Sequence, residues 1–201
     1  GIANCLLDDN GESRPFVFIA VGGSSNASTL EGHSYTYVGS TWGKIVDILI
    51  ETKCMNPIIY IDELDKISNT ENGKEIIGIL THITDATQHE QFNDKYFSGI
   101  DIDLSKILFI FSYNDYSLLD PILADRIHRI KFTNLSKKDK LVIVDNYILP
   151  EILSIVGFPE KSIVFNKESL EYIISNYTYE SGVRKLKEKI VEIIRHINLQ
   201  H

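Results

Sequence analysis

Short apolar runs alternate with helical spacings of apolar residues over the first two thirds of the chain. Two stretches, residues 40–53 and 73–84, place Ile and Leu three or four positions apart, as one buried face of a helix requires. Continuous apolar runs are typical of strands buried on both faces. Such runs lie at residues 16–21, 57–61, 107–111 and 127–132. Strands separated by helices predict an α/β fold with a parallel sheet and helices on both of its faces.

The pattern changes near residue 134, after which helical spacing dominates. Ser136 followed by Asp139 is a helix-start signal. The helices that we predict cover residues 136–155, 167–177 and 181–197, and a short extended piece covers residues 162–165. We therefore expect two domains: a large α/β domain over residues 1–134 and a small, mostly helical domain over residues 135–201.

Composition excludes several classes of protein. The 201 residues are 43% apolar and 24% charged, which is ordinary for a globular chain that folds without a disulfide or a metal. Lys and Arg number 20 against 28 for Asp and Glu, which gives a net charge of −8 and argues against a general nucleic-acid or membrane-surface binder. No apolar run approaches the roughly 18 residues of a membrane span.

Two further composition features bear on compartment and organisation. The acidic excess lies before residue 135, with 19 acids against 10 bases, whereas the remainder has 9 acids against 10 bases. This difference supports two units with different surfaces. Cys5 and Cys54 lie far apart in sequence, so we expect two reduced thiols in the cytoplasm or another reducing compartment. A mitochondrial origin stays open.

Two acids follow the second predicted strand, where open α/β sheets bind their ligands. Asp62 and Glu63 stand at its carboxyl end. One carboxylate can hold Mg²⁺ and a second can orient or deprotonate an attacking water, and Asp62 fits the first role and Glu63 the second. Asn114 follows the strand at residues 107–111 and could position that water. The plainer alternatives are two solvated acids after a strand and a turn-forming Asn.

Two arginines add to this pattern. Arg126 lies just before the fourth predicted strand, where its guanidinium could reach a neighbouring subunit's phosphate. The alternative is a salt bridge to Asp125 or a plain surface charge. Arg184 opens the last predicted helix, where a nucleotide between two domains could meet it.

A series of short motifs makes the chain resemble the AAA+ module of Lon proteases over essentially its whole length. The motifs are GG (residues 22–23), LEGHSYTYVG (30–39), WGKI (42–45), NP (56–57), DELDK (62–66), FNDKY (92–96), DLS (103–105) and GVRKL (182–186). The resemblance implies an AAA+ fold of the P-loop NTPase type: a parallel sheet that here lacks its first strand, followed by a small helical lid.

The same resemblance assigns roles to residues. It implies Asp62 and Glu63 as the Walker B acids, Asn114 as sensor 1, Arg126 as arginine finger and Arg184 as sensor 2. It also places Tyr37 and Val38 in a pore loop that grips unfolded protein. An aromatic side chain followed by a branched one suits such a grip, because both make apolar contacts that do not depend on the substrate sequence. The intact protein would use ATP and Mg²⁺ and form a homo-oligomeric ring, a hexamer by the resemblance, that couples ATP hydrolysis to substrate translocation and proteolysis.

Two departures from the Lon pattern matter. Trp42 stands where the family commonly has Pro, which we interpret as a local packing change; the alternative is an extra aromatic side chain near the pore. The larger departure is that no GxxxxGK[ST] phosphate-binding loop occurs in the 201 residues. We therefore expect this chain alone to bind ATP weakly or not at all and to hydrolyse none. We also expect a sheet that either tolerates a gap or fills it with another segment or chain, because unpaired buried backbone groups are costly.

The missing loop leaves two interpretations open. The first is a piece of a longer protein, cut after the phosphate loop and before the protease domain, which by itself is a monomer or weak dimer with no proteolytic residue. The second is a degenerate, non-catalytic AAA+ scaffold or partner-binding domain, and the codons upstream of Ile2 would decide between them. The acidic balance and the loop around Tyr37 and Val38 disfavour a third interpretation, a DNA-loading AAA+ protein.

Overall fold

The computed structural model of the protein describes residues 2–7, 11–21, 27–67, 70–159 and 162–199. Gly22 and Gly23, the GG motif of the Lon-like series, lie outside the described residues. The chain divides into two compact units, Gly1–Arg129 and Ile130–His201. In the described part of the chain no helix is both long enough and apolar enough to span a membrane.

A parallel sheet of three strands organises the first unit. The unit's strands are β1 (Phe16–Ala20), β2 (Ile58–Asp62), β3 (Phe92–Asn93), β4 (Asp101–Ile102) and β5 (Leu108–Phe111). The sheet has the order β1-β2-β5, with Ile19 opposite Ile61 and Ile61 opposite Phe111. β3 and β4 form a separate antiparallel hairpin. The three long strands confirm three of the four predicted ones.

In the described part of the chain helices cover one face of this sheet, so the prediction of helices on both faces is not confirmed. The helices of the first unit are α1 (Ile2–Cys5), α2 (Ser28–Glu31), α3 (Lys44–Thr52), α4 (Glu71–Thr84) and α5 (Pro121–Arg126). The apolar residues of α2, α3, α4 and α5 join Ile59 and Ile61 in one buried cluster that includes Ile48 and Leu80. Each fully buried side chain of this size contributes about 1.5–3 kcal/mol to folding. On the opposite face Phe16 and Phe18 stay about half exposed, and Phe18 stacks on Tyr60 with ring centroids 5.7 Å apart.

The predicted fourth strand, residues 127–132, is wrong. These residues form no strand, and the side chains of Ile130 and Phe132 are 71% and 90% exposed. A strand needs a partner to satisfy its backbone groups. Among the described residues, nothing pairs with the edge of β5 that faces away from β2. The sheet in this part of the chain therefore ends at β5.

The second unit is helical. It contains α6 (Lys137–Ile143), a π-helical segment Val144–Ile148, α7 (Leu149–Val156), α8 (Lys167–Asn176) and α9 (Arg184–Asn198). The predicted capping box is present, because the Ser136 hydroxyl accepts from the Asp139 amide and the Asp139 carboxylate accepts from the Ser136 amide. The predicted helix at residues 136–155 is confirmed as one continuous helical stretch over residues 137–156. It contains a π-helical segment just before Pro150, whose missing N–H cannot continue the α-helical ladder. Residues 162–165 form no strand.

An apolar stripe on α9 builds the core of this unit. Leu186, Ile190 and Ile194, four residues apart, are fully buried and pack with Leu170 and Ile174 of α8. Lys140 is also buried, and its ammonium donates to the carbonyl of Glu180 at 2.6 Å. The expected order along the chain, a parallel sheet with helices followed by a small helical unit, is confirmed.

Candidate functional site

Asp62 and Glu63 lie at the carboxyl edge of the sheet, as predicted. Asp62 ends β2, and its Oδ1 accepts hydrogen bonds from the Ser112 hydroxyl and from the Glu63 amide, the latter at 3.0 Å. The Leu64 amide in turn donates to the Ser112 carbonyl at 3.0 Å. Reciprocal bonds of this kind fix the Asp62 carboxylate against the neighbouring strand.

Glu63 has an unusual backbone. Its φ of 59° lies in the left-handed region, which residues with a side chain rarely adopt. The conformation turns the chain sharply at the end of β2, and the Glu63 side chain is exposed. Strained residues of this type are concentrated at functional sites.

A buried acid, Asp65, joins this edge to the segment that follows β5. Its side chain is almost fully buried, and its Oδ2 accepts from the Asp115 amide at 3.4 Å. Asn114 lies between Ser112 and Asp115, both of which bond to the turn after β2, and its own side chain is exposed. The structure therefore brings Asp62, Glu63 and Asn114 to one edge of the sheet.

Arg126 forms an ion pair, although not with Asp125, the partner named in the alternative interpretation. Its guanidinium Nη1 contacts Asp85 Oδ2 at the end of α4, rather than Asp125. Asp85 also accepts from the amide and the hydroxyl of Thr87, at 2.9 and 2.7 Å. The last turn of α5 is therefore tied to the loop after α4, and the Arg126 side chain remains 33% exposed.

This ion pair predicts a pH-dependent stability. The hydrogen bond from the Thr87 hydroxyl, then the Thr87 amide and Arg126, hold the pKa of Asp85 well below its ordinary value of 3.8. A carboxylate whose folded pKa is lowered stabilises the fold above its unfolded pKa and loses that contribution as the pH falls towards the folded pKa. We expect Asp85→Asn to lower the free energy of unfolding at pH 7, and the difference from the parent to shrink between pH 5 and pH 3. Urea denaturation across this range measures it.

Asp125→Asn is the matched control for this experiment. It removes the same charge from an exposed neighbouring position, so we expect a small effect at every pH. A difference between Asp85→Asn and the parent that stayed constant from pH 7 to pH 3 would contradict the role assigned to the Asp85 carboxylate.

Tyr37 and Val38 lie at the tip of an exposed loop. Their side chains are 70% and 108% exposed, and Tyr35 beside them is 66% exposed. Two turns shape the tip, because the Tyr37 amide donates to the Ser34 carbonyl and the Ser40 amide donates to the Tyr37 carbonyl, both at 3.1 Å. The loop thus exposes an aromatic and a branched side chain to solvent, where a binding partner could contact both.

Arg184 lies in the second unit, at the first residue of α9. Its side chain is 92% exposed and pairs with Glu188 one turn later at 3.7 Å. The Glu180 carboxylate caps the same helix end by accepting from the amides of Lys185 and Leu186, at 2.9 and 2.8 Å. The Arg184 guanidinium is therefore available to a ligand at the cost of one weak exposed pair.

Comparison with known proteins decides the family. Residues 7–135 match the model of the ATPase family associated with various cellular activities (AAA). The chain belongs to the AAA family. Residues 156–201 of this AAA module match the Lon protease AAA+ ATPase lid domain.

Curated relatives agree with the Lon assignment. The module is 40% identical over 186 residues to a Lon protease homolog of Acanthamoeba polyphaga mimivirus, a match that covers 92% of this chain and 18% of the relative. It is 40% identical over 184 residues to Lon protease of Campylobacter concisus, covering 92% and 23%. It is 36% identical over 188 residues to Lon protease of Helicobacter pylori, covering 94% and 22%. The chain spans about a fifth of the length of these relatives, and its resemblance to the Lon AAA+ module is confirmed.

The donor set of the AAA module suits one part of a Mg·ATP site. Both hydrogen bonds given to Asp62 within the described residues end on Oδ1, so Oδ2 can accept a water of Mg²⁺ or bind the ion. The described residues contain no cluster of three or more acidic, His or Cys side chains that could hold a metal ion alone. A carboxylate oxygen is the ligand type that Mg²⁺ prefers.

Sequence reasoning missed two residues of this edge in the AAA module. Ser112 anchors Asp62, and Asp65 anchors the segment around Asn114. Their positions gave a partial signal, because Ser112 follows β5 directly and Asp65 lies inside the DELDK motif. The contacts of Ser112 and Asp65 depend on the pairing of β2 with β5, which the sequence alone does not give.

Proposed function

We propose that this AAA module is the ATP-driven unfolding engine of a Lon-type ATP-dependent protease, with a large subdomain over residues 1–134 and a lid over residues 135–201. The observation that carries the proposal is the edge where Asp62, Glu63 and Asn114 meet, fixed by Ser112 and Asp65. The similarity to a Lon protease homolog and to Lon protease supports the same assignment.

Each residue of the proposed site has a distinct task, both at this edge and at the two arginines. Bound Mg·ATP supplies the phosphoryl group and much of the charge neutralisation at the site. Asp62 holds the cation, directly or through water, while Glu63 accepts the proton of the attacking water. The Asn114 amide orients that water. Arg184 senses the phosphates within the subunit, and Arg126 stabilises the transition state in the neighbouring subunit of a ring.

Substrate is held by the exposed loop. The Tyr37 ring and the Val38 side chain give apolar contact that does not depend on the sequence of an unfolded protein. Such contacts suit an engine that must pull many different chains through one ring. The exposure of both side chains supports this role.

Replacing Tyr37 tests the function. In the complete protein, Tyr37→Ala should lower ATP-dependent degradation of an unfolded protein at least about tenfold, the factor that about 1.4 kcal/mol of lost contact gives, while ATP hydrolysis stays within about threefold of the parent. Tyr35→Ala, in the same loop and similarly exposed, is the control and should change degradation less. Degradation at the parental rate in Tyr37→Ala would overturn the assigned grip.

The chain by itself is expected to bind Mg·ATP weakly or not at all. The backbone N–H cradle and the phosphate-binding lysine of a GxxxxGK[ST] loop are absent from the 201 residues. Titration calorimetry of the 201-residue chain with Mg·ATP measures this. A micromolar dissociation constant would contradict it.

The missing motif also favours a second candidate, a non-catalytic AAA scaffold or partner-binding domain. The coding sequence before Ile2 discriminates between the two. A GxxxxGK[ST] stretch in frame supports the engine, whereas an unrelated sequence supports the scaffold.

A further inference from the structure

The loop that carries Tyr37 and Val38 is pinched shut at its base. Gly32, with a φ of 77°, and Gly43 pass each other so closely that a side chain on Gly43 would overlap the Leu30 carbonyl, and one on Gly32 would lie 2.7 Å from the Gly43 amide. The His33 amide donates to the Thr41 carbonyl at 3.0 Å just above this crossing. We call residues 32, 33 and 41–43 the stem of the loop.

A fully buried carboxylate fastens this stem to a second segment. Asp94 has no exposed surface; its Oδ2 accepts from the Gly43 amide and its Oδ1 from the Tyr96 amide, both at 2.8 Å. Asp94 follows β3 in the hairpin of residues 92–102. Among the described residues, Asp94 is in no ion pair, so backbone N–H groups compensate its burial.

Aromatic rings contribute a second set of contacts to the same junction. The Trp42 ring stacks on Phe97 at 6.1 Å and meets Tyr96 edge-on at 5.7 Å, and Tyr96 and Phe97 are 5.1 Å apart. The Trp42 indole N–H donates to Asp47 Oδ1 at 3.3 Å. Trp42 thus contacts the hairpin while bonding to α3.

A third set of contacts acts just before the stem. The Lys95 amide donates to the Glu31 carbonyl at 2.8 Å, and the Lys95 ammonium pairs with the Glu31 carboxylate at 3.2 Å. The stem is therefore tied to residues 94–97 by a buried carboxylate and an aromatic cluster, and the residue just before it by a backbone bond and an ion pair.

We propose that Asp94 and Trp42 are positioning residues that brace the stem of the Tyr37 loop against the hairpin of residues 92–102, so that loop and hairpin move as one piece under load. The part of this proposal that concerns load rests on the proposed function, whereas the brace itself does not. A loop that transmits a pulling force must resist bending at its base. Within the part of the chain that the structure describes, the hydrogen bonds of its exposed tip are all short-range, so stiffness has to come from the stem.

Amide hydrogen exchange in the complete protein, read residue by residue with mass spectrometry, tests the brace. In Asp94→Asn the acceptor charge is lost and one amide faces an N–H₂ group, so the Gly43 amide should exchange about tenfold faster or more. The amides of residues 33–42 should follow. Asp101→Asn, an exposed carboxylate on the same hairpin, is the control and should leave these amides unchanged. Unchanged exchange at Gly43 in Asp94→Asn would overturn the brace.

Trp42 gives a second variant at a partly exposed position, which keeps the test decisive if Asp94→Asn does not fold. Trp42→Ala should speed exchange in residues 33–43, and Trp42→Phe, which keeps a ring for the stack, should restore most of the protection. Equal exchange in the parent, Trp42→Ala and Trp42→Phe would overturn the role of the aromatic cluster.

Degradation assays separate this inference from the proposed function. Asp94→Asn and Trp42→Ala should lower ATP-dependent degradation severalfold, with ATP hydrolysis close to parental. If Tyr37→Ala leaves degradation unchanged, the proposed function fails while exchange still decides the brace. If Tyr37→Ala lowers degradation but the two brace variants loosen the loop without lowering it, the load-bearing role is overturned.

Discussion

Replacing Glu63 by Gln in the complete protein is expected to lower ATP hydrolysis by about 10²–10⁴-fold, the usual contribution of a positioned general base. Gln keeps the size and the hydrogen-bonding oxygen of Glu but cannot accept a proton at neutral pH. Asp62, which is held by Ser112 and not by the Glu63 side chain, should still support Mg·ATP binding. The variant should therefore retain nucleotide while failing to turn it over.

Steady-state phosphate release and nucleotide retention measure the two halves of this expectation. Glu90→Gln, another exposed glutamate of the first unit, is the matched control and should hydrolyse ATP at the parental rate. Parental hydrolysis in Glu63→Gln would show that another group activates the water.

Replacing Arg126 by Ala should reduce ATP turnover by about 10³-fold or more, because an arginine finger contributes a rate enhancement of that order in GTPases. The ion pair with Asp85 makes a structural explanation available as well, because the variant also unties α5 from the loop after α4. Asp85→Asn discriminates between them. It removes the same ion pair but keeps the guanidinium, so turnover should stay within a few fold if Arg126 acts on the phosphates.

Mixed rings sharpen the test of Arg126. Glu63→Gln and Arg126→Ala subunits are each inactive alone, yet a mixed ring contains sites in which an intact Glu63 faces an intact Arg126 of the neighbour. Turnover should then rise above that of either pure variant. Mixed rings as inactive as the pure ones would contradict action between subunits. Arg129→Ala, which removes a cation stacked 4.3 Å from the Tyr116 ring centroid, controls for loss of charge.

The parts of the fold that depend on local pattern were predictable. The apolar runs located β1, β2 and β5 to within a residue or two, since strands buried against a core are continuous in apolar residues. The run at residues 127–132 looked the same, but a strand also needs a partner, which is not a property of its own sequence. The hairpin of β3 and β4 escaped prediction because two-residue strands carry no alternation to detect.

The residues of the candidate site were predictable from the sequence, but most of their hydrogen bonds and ion pairs were not. The sequence pointed to Asp62, Glu63 and Asn114 because the ends of parallel strands meet at one edge. It did not reveal that Asp94 and Asp65 are buried, since acids are usually exposed and their partners lie about fifty residues away along the chain. Arg126 shows the same limit, because its partner Asp85 is distant in sequence, whereas the alternative partner that the sequence suggested, Asp125, is adjacent.

The aromatic junction at residue 42 also has a practical consequence. Trp42 is the sole tryptophan of the 201 residues, so excitation near the red edge of protein absorbance addresses one indole, at the foot of the exposed loop. Its emission colour and its quenching by acrylamide report the solvent around that foot without any dye. The fluorescence of Trp42 is thus an intrinsic probe of polypeptide binding at the loop, and stopped-flow mixing can follow its time course.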